Sequence, residues 1–117
     1  MSAEKIIYKI TPRTAWEEAQ QKGQFEGAAI DLQDGYIHFS AADQVAETAA
    51  KHFAGQEDLL LVAVDTDTLG DALKWEVSRG GALFPHLYAH LEMQSVLWAK
   101  PMPLSENGQH ILPAGQA

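Results

Sequence analysis

The sequence predicts an α+β domain in which short strands outnumber helices. Stretches rich in Ile, Val, Leu and Tyr recur at strand length, whereas apolar residues at helical spacing occur twice, both times in the first half. At 117 residues the chain has the length of one domain, so residues 1–117 are expected to form a single unit. Its 46% hydrophobic content is sufficient for one core.

The charge balance limits the partners of this domain. Sixteen acidic against eight basic residues give a formal net charge of −8. Such a field repels the backbones of nucleic acids and the surfaces of anionic membranes, so we expect neither a nucleic-acid duplex nor a membrane as partner. A small anionic ligand held in a local pocket is compatible with this charge. The sequence leaves the oligomeric state open.

Cysteine usage and the start of the chain predict a cytoplasmic protein. The absence of cysteine excludes a disulfide framework, a thiolate zinc site and a catalytic thiol. The first residues lead directly into a strand pattern at Ile6, without the apolar segment and cleavage site of a signal peptide. The longest strongly apolar run, Leu59–Val64, is far shorter than the ~20 residues that span a bilayer.

The first elements are a strand and a helix. Residues 5–10 have strand composition, and Thr11 followed by Pro12 predicts a helix start with Thr11 as the N-cap. A capping pattern that begins at Thr14 offers a competing start. Gly23 is the expected end of this helix.

A connection, a strand and a second helix follow. Residues 24–34 have little periodicity and are expected to form an irregular connection. Tyr36–Phe39 predicts the second strand, with Ser40 as N-cap of a helix that Gly55 ends.

The second half of the chain predicts strands and turns. Pro85 disfavours a central strand position for its segment, because proline lacks the N–H that a sheet requires. Asn107 and Gly108 together indicate a tight turn. Further turns are expected over residues 65–71 and 78–81. The strands are Asp58–Val64, predicted to be central, then Leu73–Val77 and Ser95–Ala99.

The segment Asp-Gly-Tyr-Ile-His-Phe-Ser contains the first candidate site. Because strand side chains alternate, Tyr36, His38 and Ser40 share one side, while Ile37 and Phe39 take the other and are expected in the core. The helix predicted next would place free backbone N–H groups beside His38, and such groups attract phosphate or carboxylate. The alternative is that Ser40 only caps the helix and His38 bonds a backbone carbonyl.

Glu76 and two histidines are further candidates. Glu76 points away from its apolar neighbours Trp75 and Val77, and a glutamate so placed is most often simply solvated. His86 and His90 are four residues apart and would share a face with metal-ligand spacing if this segment were helical. Surface or hydrogen-bonded histidines are the commoner outcome. No glycine-rich phosphate loop or nucleophile elbow is present.

The order of these motifs resembles the DUF952 family, small bacterial proteins of unknown function. One departure is clear: the family usually continues its second motif with Tyr-Gly-Pro-Leu, whereas Ala89 and His90 follow Tyr88 here. The resemblance covers nearly the whole chain. It is carried by Ile7-Tyr8-Lys9-Ile10-Thr11, Trp16-x-x-Ala19, Asp34-Gly35-Tyr36-Ile37-His38-Phe39-Ser40, Leu60-Leu61-Val62-x-Val64-Asp65, Trp75-Glu76, Phe84-Pro85-His86-Leu87-Tyr88 and Leu112-Pro113.

The resemblance implies an ADP-ribosyltransferase-like fold, with two small, bent antiparallel sheets, two main helices and a cleft that holds NAD as co-substrate. It implies that His38 contacts a ribose, that Tyr88 packs on nicotinamide, and that Glu76 is the catalytic carboxylate. The expected nucleotide-binding residues are Tyr36, His38, Ser40, His86 and Tyr88.

Three functional hypotheses follow. The first is an enzyme that binds NAD or an ADP-ribose-containing nucleotide and transfers or hydrolyses ADP-ribose. The second is a binding module for a nucleotide or other small ligand that has no chemistry of its own. The third is a metal-dependent hydrolase that uses His38, His86 and His90. The first two expect a small-molecule nucleotide as partner and no metal.

Overall fold

A computed structural model describes residues 5–78 and 81–113 of the protein. The predicted turn over residues 78–81 therefore lies partly outside the described residues. In chain order, the strands and helices are β1 Ile6–Pro12, α1 Arg13–Lys22, β2 Gln24–Phe25, α2 Ala29–Asp34, β3 Ile37–His38, α3 Val45–His52, β4 Leu59–Asp65, β5 Leu73–Val77, β6 Leu83–Leu87, β7 Leu91–Glu92 and β8 Val96–Pro101.

The first sheet has three antiparallel strands in the order β1-β4-β8. The apolar segment from residue 59 onward forms β4, its central strand, as predicted. Both faces of β4 are buried, because apolar side chains occupy successive positions along it. One face packs with α3 around Leu61 and Ala63, and the other packs with α1 around Val62 and Val64.

The second sheet also has three antiparallel strands, in the order β3-β6-β5. Its inner face joins the core that it shares with the first sheet through Ile37 and Leu87, and Trp75 packs against the same core. Phe39 is buried there as well, so the predicted core side of the Asp34–Ser40 segment is confirmed. Strand alternation therefore turns His38 and its neighbours on this sheet to the outer face.

The interval from residue 24 to residue 34 is structured, and the prediction of an irregular connection was wrong. Residues 24–25 form β2, which pairs with β7 in a separate two-stranded sheet, and residues 29–34 form α2. Phe25 is buried against Trp16, with their ring centroids 5.5 Å apart. These elements are too short to carry a periodic signal, so tertiary packing defines them.

Pro85 occupies the central strand of the second sheet, which corrects the prediction from its missing N–H. Its carbonyl accepts a hydrogen bond from the Phe39 N–H at 3.0 Å, so the backbone of Pro85 faces the β3 side of the sheet. The strand β3 ends at His38, one residue before this point. The pairing between β3 and β6 therefore ends close to Pro85, where the missing N–H of proline removes a donor.

The predicted turns and helix ends are partly confirmed. Gly23 ends α1 in the left-handed conformation, and residues 107–108 lie in a tight turn closed by a bond from the Gly108 N–H to the Ser105 carbonyl. The two N-cap predictions were wrong. Pro12 rather than Thr11 precedes α1, and α3 starts only at Val45, five residues after Ser40. Two 3-10 turns occupy residues 66–68 and 70–72.

The predicted α+β class is confirmed, with small antiparallel sheets and two main helices, α1 and α3. Three sheets are present in the described part of the chain where two were expected. None of the helices within that part has the length and apolar character needed to cross a membrane.

Candidate functional site

Polar and aromatic side chains converge on the outer face of the second sheet. In the β3–β6 register His38 lies directly opposite His86. Continuing that register by one residue places Tyr36 opposite Tyr88, and Glu76 on β5 lies on the same face. We call these five residues the outer cluster: Tyr36, His38, Glu76, His86 and Tyr88.

Tyr36 is the centre of the aromatic contacts in the outer cluster. Its ring stacks on His86 with 4.2 Å between centroids, and it lies 4.7 Å from His38 and 5.1 Å from Tyr88. The two imidazoles are 5.5 Å apart, edge to face. Aromatic pairs at these separations contribute about 0.5–1.5 kcal/mol each beyond simple burial. The four rings therefore form one packed surface.

Glu76 connects two rings of this surface. Its Oε1 lies 2.8 Å from His86 Nδ1 and accepts a hydrogen bond from the Tyr88 hydroxyl at 2.8 Å. The bonds from His86 and Tyr88 lower the pKa of Glu76, and the same carboxylate raises the pKa of Tyr88 to about 12. Glu76 is therefore an ionised acceptor at neutral pH, with one oxygen shared by two neighbours.

His38 lies between two carboxylates of α2. Its Nδ1 is 2.6 Å from Asp31 Oδ1, and its Nε2 is 3.0 Å from Asp34 Oδ2. A carboxylate can only accept, so the imidazolium form of His38 donates to both partners and the neutral form to one. These two contacts with α2 orient the ring. The side chain is 31% exposed, so part of it still reaches solvent.

Asp31 is the buried residue that organises this side of the cluster. Besides His38 Nδ1, its carboxylate accepts bonds from the backbone N–H groups of Ala28 and His38, and it pairs with Lys9 at 2.7 Å. Burial alone would raise the pKa of Asp31, but the bond from His38 and the charge of Lys9 outweigh it and hold this pKa at about 2. Burial lowers the pKa of Lys9.

A cavity of about 270 Å³ adjoins the outer cluster. Tyr36 and Tyr88 form part of its wall, and His90 closes another side. Neither His38 nor Glu76 lines it. The cavity therefore extends the aromatic surface beside Tyr36 and Tyr88, and the expected ribose contact and the expected catalytic carboxylate lie outside its wall.

Two expectations about candidate residues differ from the structure: one concerns Ser40, and the other concerns the segment that contains His86 and His90. Ser40 is buried, forms a bridge with Tyr8 in β1, and places its hydroxyl 3.0 Å from that of Thr48, so it is not part of the outer cluster. The segment with His86 and His90 is not helical: His86 lies on β6, and His90 follows the strand, with Nδ1 2.9 Å from the Gln24 amide nitrogen.

The expected position of the cleft needs correction. The space between the two three-stranded sheets is filled by core side chains, among them Ile7, Val64 and Leu87. Because Tyr36 and His38 alternate with core residues, they lie on the side of the second sheet that faces away from the first. The exposed side chains of the outer cluster therefore lie on the outer face of one sheet. We call this face, together with the adjoining cavity, the groove.

Metal ligation has no geometric basis in residues 5–78 and 81–113. Within these ranges no group of three or more histidine, cysteine, aspartate or glutamate side chains is arranged to hold an ion. In particular, the Nδ1 atoms of His38 and His86 both face carboxylates of the protein. Nothing in the described part of the chain supports the hydrolase that would use His38, His86 and His90.

The sequence profile of the DUF952 family, described as a protein of unknown function, matches residues 10–99. The chain belongs to the DUF952 family. The match includes both halves of the outer cluster, from Tyr36 to Tyr88. No curated protein matches the chain.

Two solved structures of the protein CC0527 from Caulobacter crescentus resemble this DUF952 protein along most of its length. The X-ray crystal structure has a TM-score of 0.88 at 50% sequence identity, covering 92% of this chain and 94% of that chain. The solution NMR structure has a TM-score of 0.80 at 51% identity, covering 89% and 90%. Neither description gives an activity, so the likeness establishes the fold.

Two residues that organise the site were not predicted from the sequence. Lys9 lies in an otherwise apolar strand, and a buried lysine requires an acidic partner, so its position carried a signal. Asp31 lies in the interval assigned to an irregular connection, and only the three-dimensional structure brings it to Lys9 and His38.

Proposed function

We propose that this DUF952 protein binds NAD or an ADP-ribose-containing nucleotide at the outer cluster, and that it transfers or hydrolyses ADP-ribose there. The observation that carries the proposal is the convergence of His38, Glu76 and Tyr88 on one outward face, connected through shared contacts with Tyr36 and His86. Ring faces bind planar bases, and carboxylates accept hydrogen bonds from ribose hydroxyls. His38 would bond a ribose hydroxyl through Nε2, with the hydroxyl taking the place of the exposed Asp34 carboxylate.

The size of the adjoining cavity indicates how much of the ligand it would enclose. Pockets for drug-sized ligands commonly measure roughly 300–1,000 Å³, and this cavity of about 270 Å³ falls just below that range. It has room for one base or one ribose of a dinucleotide. The rest of the ligand would then lie across the open face of the second sheet, beside His38.

The chemical part of the proposal assigns Glu76 to the reacting ribose. Departure of nicotinamide with the electron pair of the N-glycosidic bond leaves an oxocarbenium-like ribose. A fixed carboxylate next to that charge lowers the barrier, and removal of such a group typically costs a few kcal/mol of transition-state stabilisation. Only one oxygen of Glu76 is bonded to His86 and Tyr88, so Oε2 is the atom assigned to this role.

A second candidate, a nucleotide-binding module without chemistry, is favoured by the same contacts. Because Glu76 already accepts bonds from two neighbours, it serves equally well to orient His86 and Tyr88 as binding surfaces. The substitution Glu76→Gln separates the two candidates. Loss of NAD turnover with nucleotide affinity largely retained is expected of the enzyme, whereas an unchanged rate removes Glu76 from the chemistry.

Calorimetric titration with NAD and with ADP-ribose tests the binding step. We expect saturable heat at ligand concentrations up to about 1 mM, a range equivalent to a binding free energy of roughly −4 kcal/mol or stronger. The variant Tyr88→Ala should weaken binding, and Trp98→Ala is the matched control, since Trp98 lies on the first sheet. Folded wild-type protein that gives no heat with either ligand contradicts the proposal.

A further inference from the structure

Within residues 5–78 and 81–113, Lys74 is the one cationic side chain on the face of the outer cluster. Lys74 lies on β5 directly opposite His86, and it is two residues from Glu76, so its side chain emerges on the outer face. The residue is exposed. Two positions along a strand are about 7 Å apart, which puts an ammonium group within reach of a ligand lying on the rings.

Lys74 forms no ion pair within 4 Å among the described residues, although its charge helps to lower the pKa of Glu76. Its Nζ donates to the backbone carbonyl of Asp71 at 3.3 Å, and no carboxylate in residues 5–78 or 81–113 lies within ion-pair distance. Every other lysine or arginine that the structure describes has a carboxylate or a ring as partner; these are Lys5, Lys9, Arg13, Lys22, Lys51 and Lys100.

The two lysines that pair with carboxylates of the cavity wall do not provide an alternative anion site. Lys22 lies on α1, and its Nζ is 3.6 Å from Glu26, which lines the cavity. Asp31 also lines the cavity, although Lys9 balances its charge. A phosphate placed in the cavity would meet carboxylates first. The cavity end of the groove therefore suits an uncharged or cationic group.

We propose that Lys74 binds the phosphate of the ligand and thereby fixes its direction across the second sheet. The phosphate lies over β5 at Lys74, and the base end lies between Tyr36 and Tyr88, toward the cavity. This inference rests on the proposed function, because it assigns one part of the same nucleotide. It also explains how a chain with a net charge of −8 can hold an anion: Lys74, which has no ion-pair partner among the described residues, acts locally.

Paired titrations of two ligands test the role of Lys74. ADP-ribose carries the phosphates and adenosine lacks them, so binding of each is measured calorimetrically to wild type, Lys74→Ala and Lys100→Ala. Lys100 is the matched control, an exposed lysine that lies over Trp98 on the first sheet. Thermal melts establish that each variant is folded, and both substitutions alter only exposed side chains.

We expect Lys74→Ala to weaken ADP-ribose binding about tenfold, as for loss of one charge-assisted bond, and to leave adenosine binding unchanged. Added salt should weaken ADP-ribose binding to wild type more than to the variant. Lys100→Ala should bind both ligands as wild type does.

The outcomes separate this inference from the proposed function. ADP-ribose binding that is equally tight in wild type and Lys74→Ala overturns the role of Lys74 and leaves nucleotide binding in place. An equal loss for both ligands in Lys74→Ala also overturns it, because the effect would not depend on phosphate. Wild type that binds neither ADP-ribose nor NAD overturns both proposals.

Discussion

At the residue scale, the outer cluster depends on carboxylates that fix the orientation of aromatic side chains. Glu76 accepts from the Tyr88 hydroxyl, and Asp31 accepts from His38. A charged acceptor makes these bonds stronger than neutral ones. The two carboxylates differ in setting, since Asp31 is buried and Glu76 is partly open. Their removal should therefore have different consequences.

The first prediction concerns the hydroxyl of Tyr88. Because this phenol donates to an ionised carboxylate, its pKa is raised to about 12, above the ordinary value of 10.0. The substitution Glu76→Gln should bring it back toward 10, since the amide carries no charge. Carbon-13 NMR of the tyrosine Cζ atoms through an alkaline titration measures both values. A Tyr88 midpoint near 10 in wild type contradicts the bond to Glu76.

The second prediction concerns the free energy of unfolding. The substitution Asp31→Ala leaves Lys9 buried without its partner, and such losses cost about 3–5 kcal/mol. Asp34→Ala removes the other, more exposed carboxylate on His38 and should cost at most about 1 kcal/mol. Urea denaturation compares the two. The double variant Lys9→Met with Asp31→Leu should recover part of the loss, because no unpaired charge remains.

The effect of Asp31 should also depend on pH. Its folded-state pKa of about 2 lies below the ordinary 3.8, so the carboxylate stabilises the folded state fully above pH 3.8. This contribution is lost as the pH falls from 3.8 through about 2. The difference in unfolding free energy between wild type and Asp31→Asn should shrink over that interval. A difference that stays constant from neutral pH to pH 2 contradicts the assignment.

At the element scale, α2 is a six-residue helix whose position sets the orientation of His38. A helix this short has little intrinsic stability, so its ends must be fixed by the surrounding structure. Glycines with positive φ flank it, Gly27 at +120° and Gly35 at +87°. A Cβ added at Gly27 would lie 2.8 Å from Asp31 Cβ, whereas one at Gly35 has no neighbour within 4 Å.

The third prediction follows from this pair of glycines. Gly35→Ala should destabilise the protein by about 1–2 kcal/mol, because alanine is strained in the left-handed region. Gly27→Ala should cost more, since the clash with Asp31 adds to the strain, and it should also shift the imidazole signals of His38 in NMR spectra. Equal losses of stability, with unchanged His38 signals, would show that Gly27 does not control Asp31.

The strand pairing of the second sheet carried a signal that was readable in the sequence. The patterns Tyr36-x-His38 and His86-x-Tyr88 are reversed copies, and an antiparallel pairing places tyrosine opposite tyrosine and histidine opposite histidine. The longer strands were predictable from their composition. By contrast, β2 and α2 were not, because two and six residues hold too few periodic positions to distinguish them from a loop.

The candidate residues were predictable to different degrees, because local strand alternation governs only some of their positions. Alternation along the strand predicted that His38 and Ile37 lie on opposite faces of the sheet, and the structure agrees, since Ile37 is buried in the core. The same rule placed Ser40 on the side of Tyr36 and His38, but Ser40 is buried and forms a bridge with Tyr8 in β1. Pro85 was misjudged because the rule about its missing N–H does not consider how short the neighbouring strand is. Long-range pairing decides the positions of Ser40 and Pro85.

At the scale of the whole molecule, the arrangement of the sheets leaves the outer face of the second sheet partly exposed. In the first sheet, β1 and β4 are buried between α3 and the core shared with the second sheet, whereas Leu97 on β8 is exposed. The inner side of the second sheet is covered by the core, and on its outer side Phe84 and His86 are buried while the other rings of the outer cluster remain partly exposed. The outer side can therefore carry polar rings without loss of core packing. In this DUF952 protein the position of the groove is therefore set by the packing of the two sheets as well as by the residues that form it.

The most direct test is a crystal of the protein soaked with NAD and, separately, with ADP-ribose. We expect density for the ligand on the outer face of the second sheet, with a ribose within hydrogen-bond distance of His38 and a ring against Tyr88. Well-ordered ligand on another surface, or an empty groove at concentrations where calorimetry gives saturation, would contradict the account.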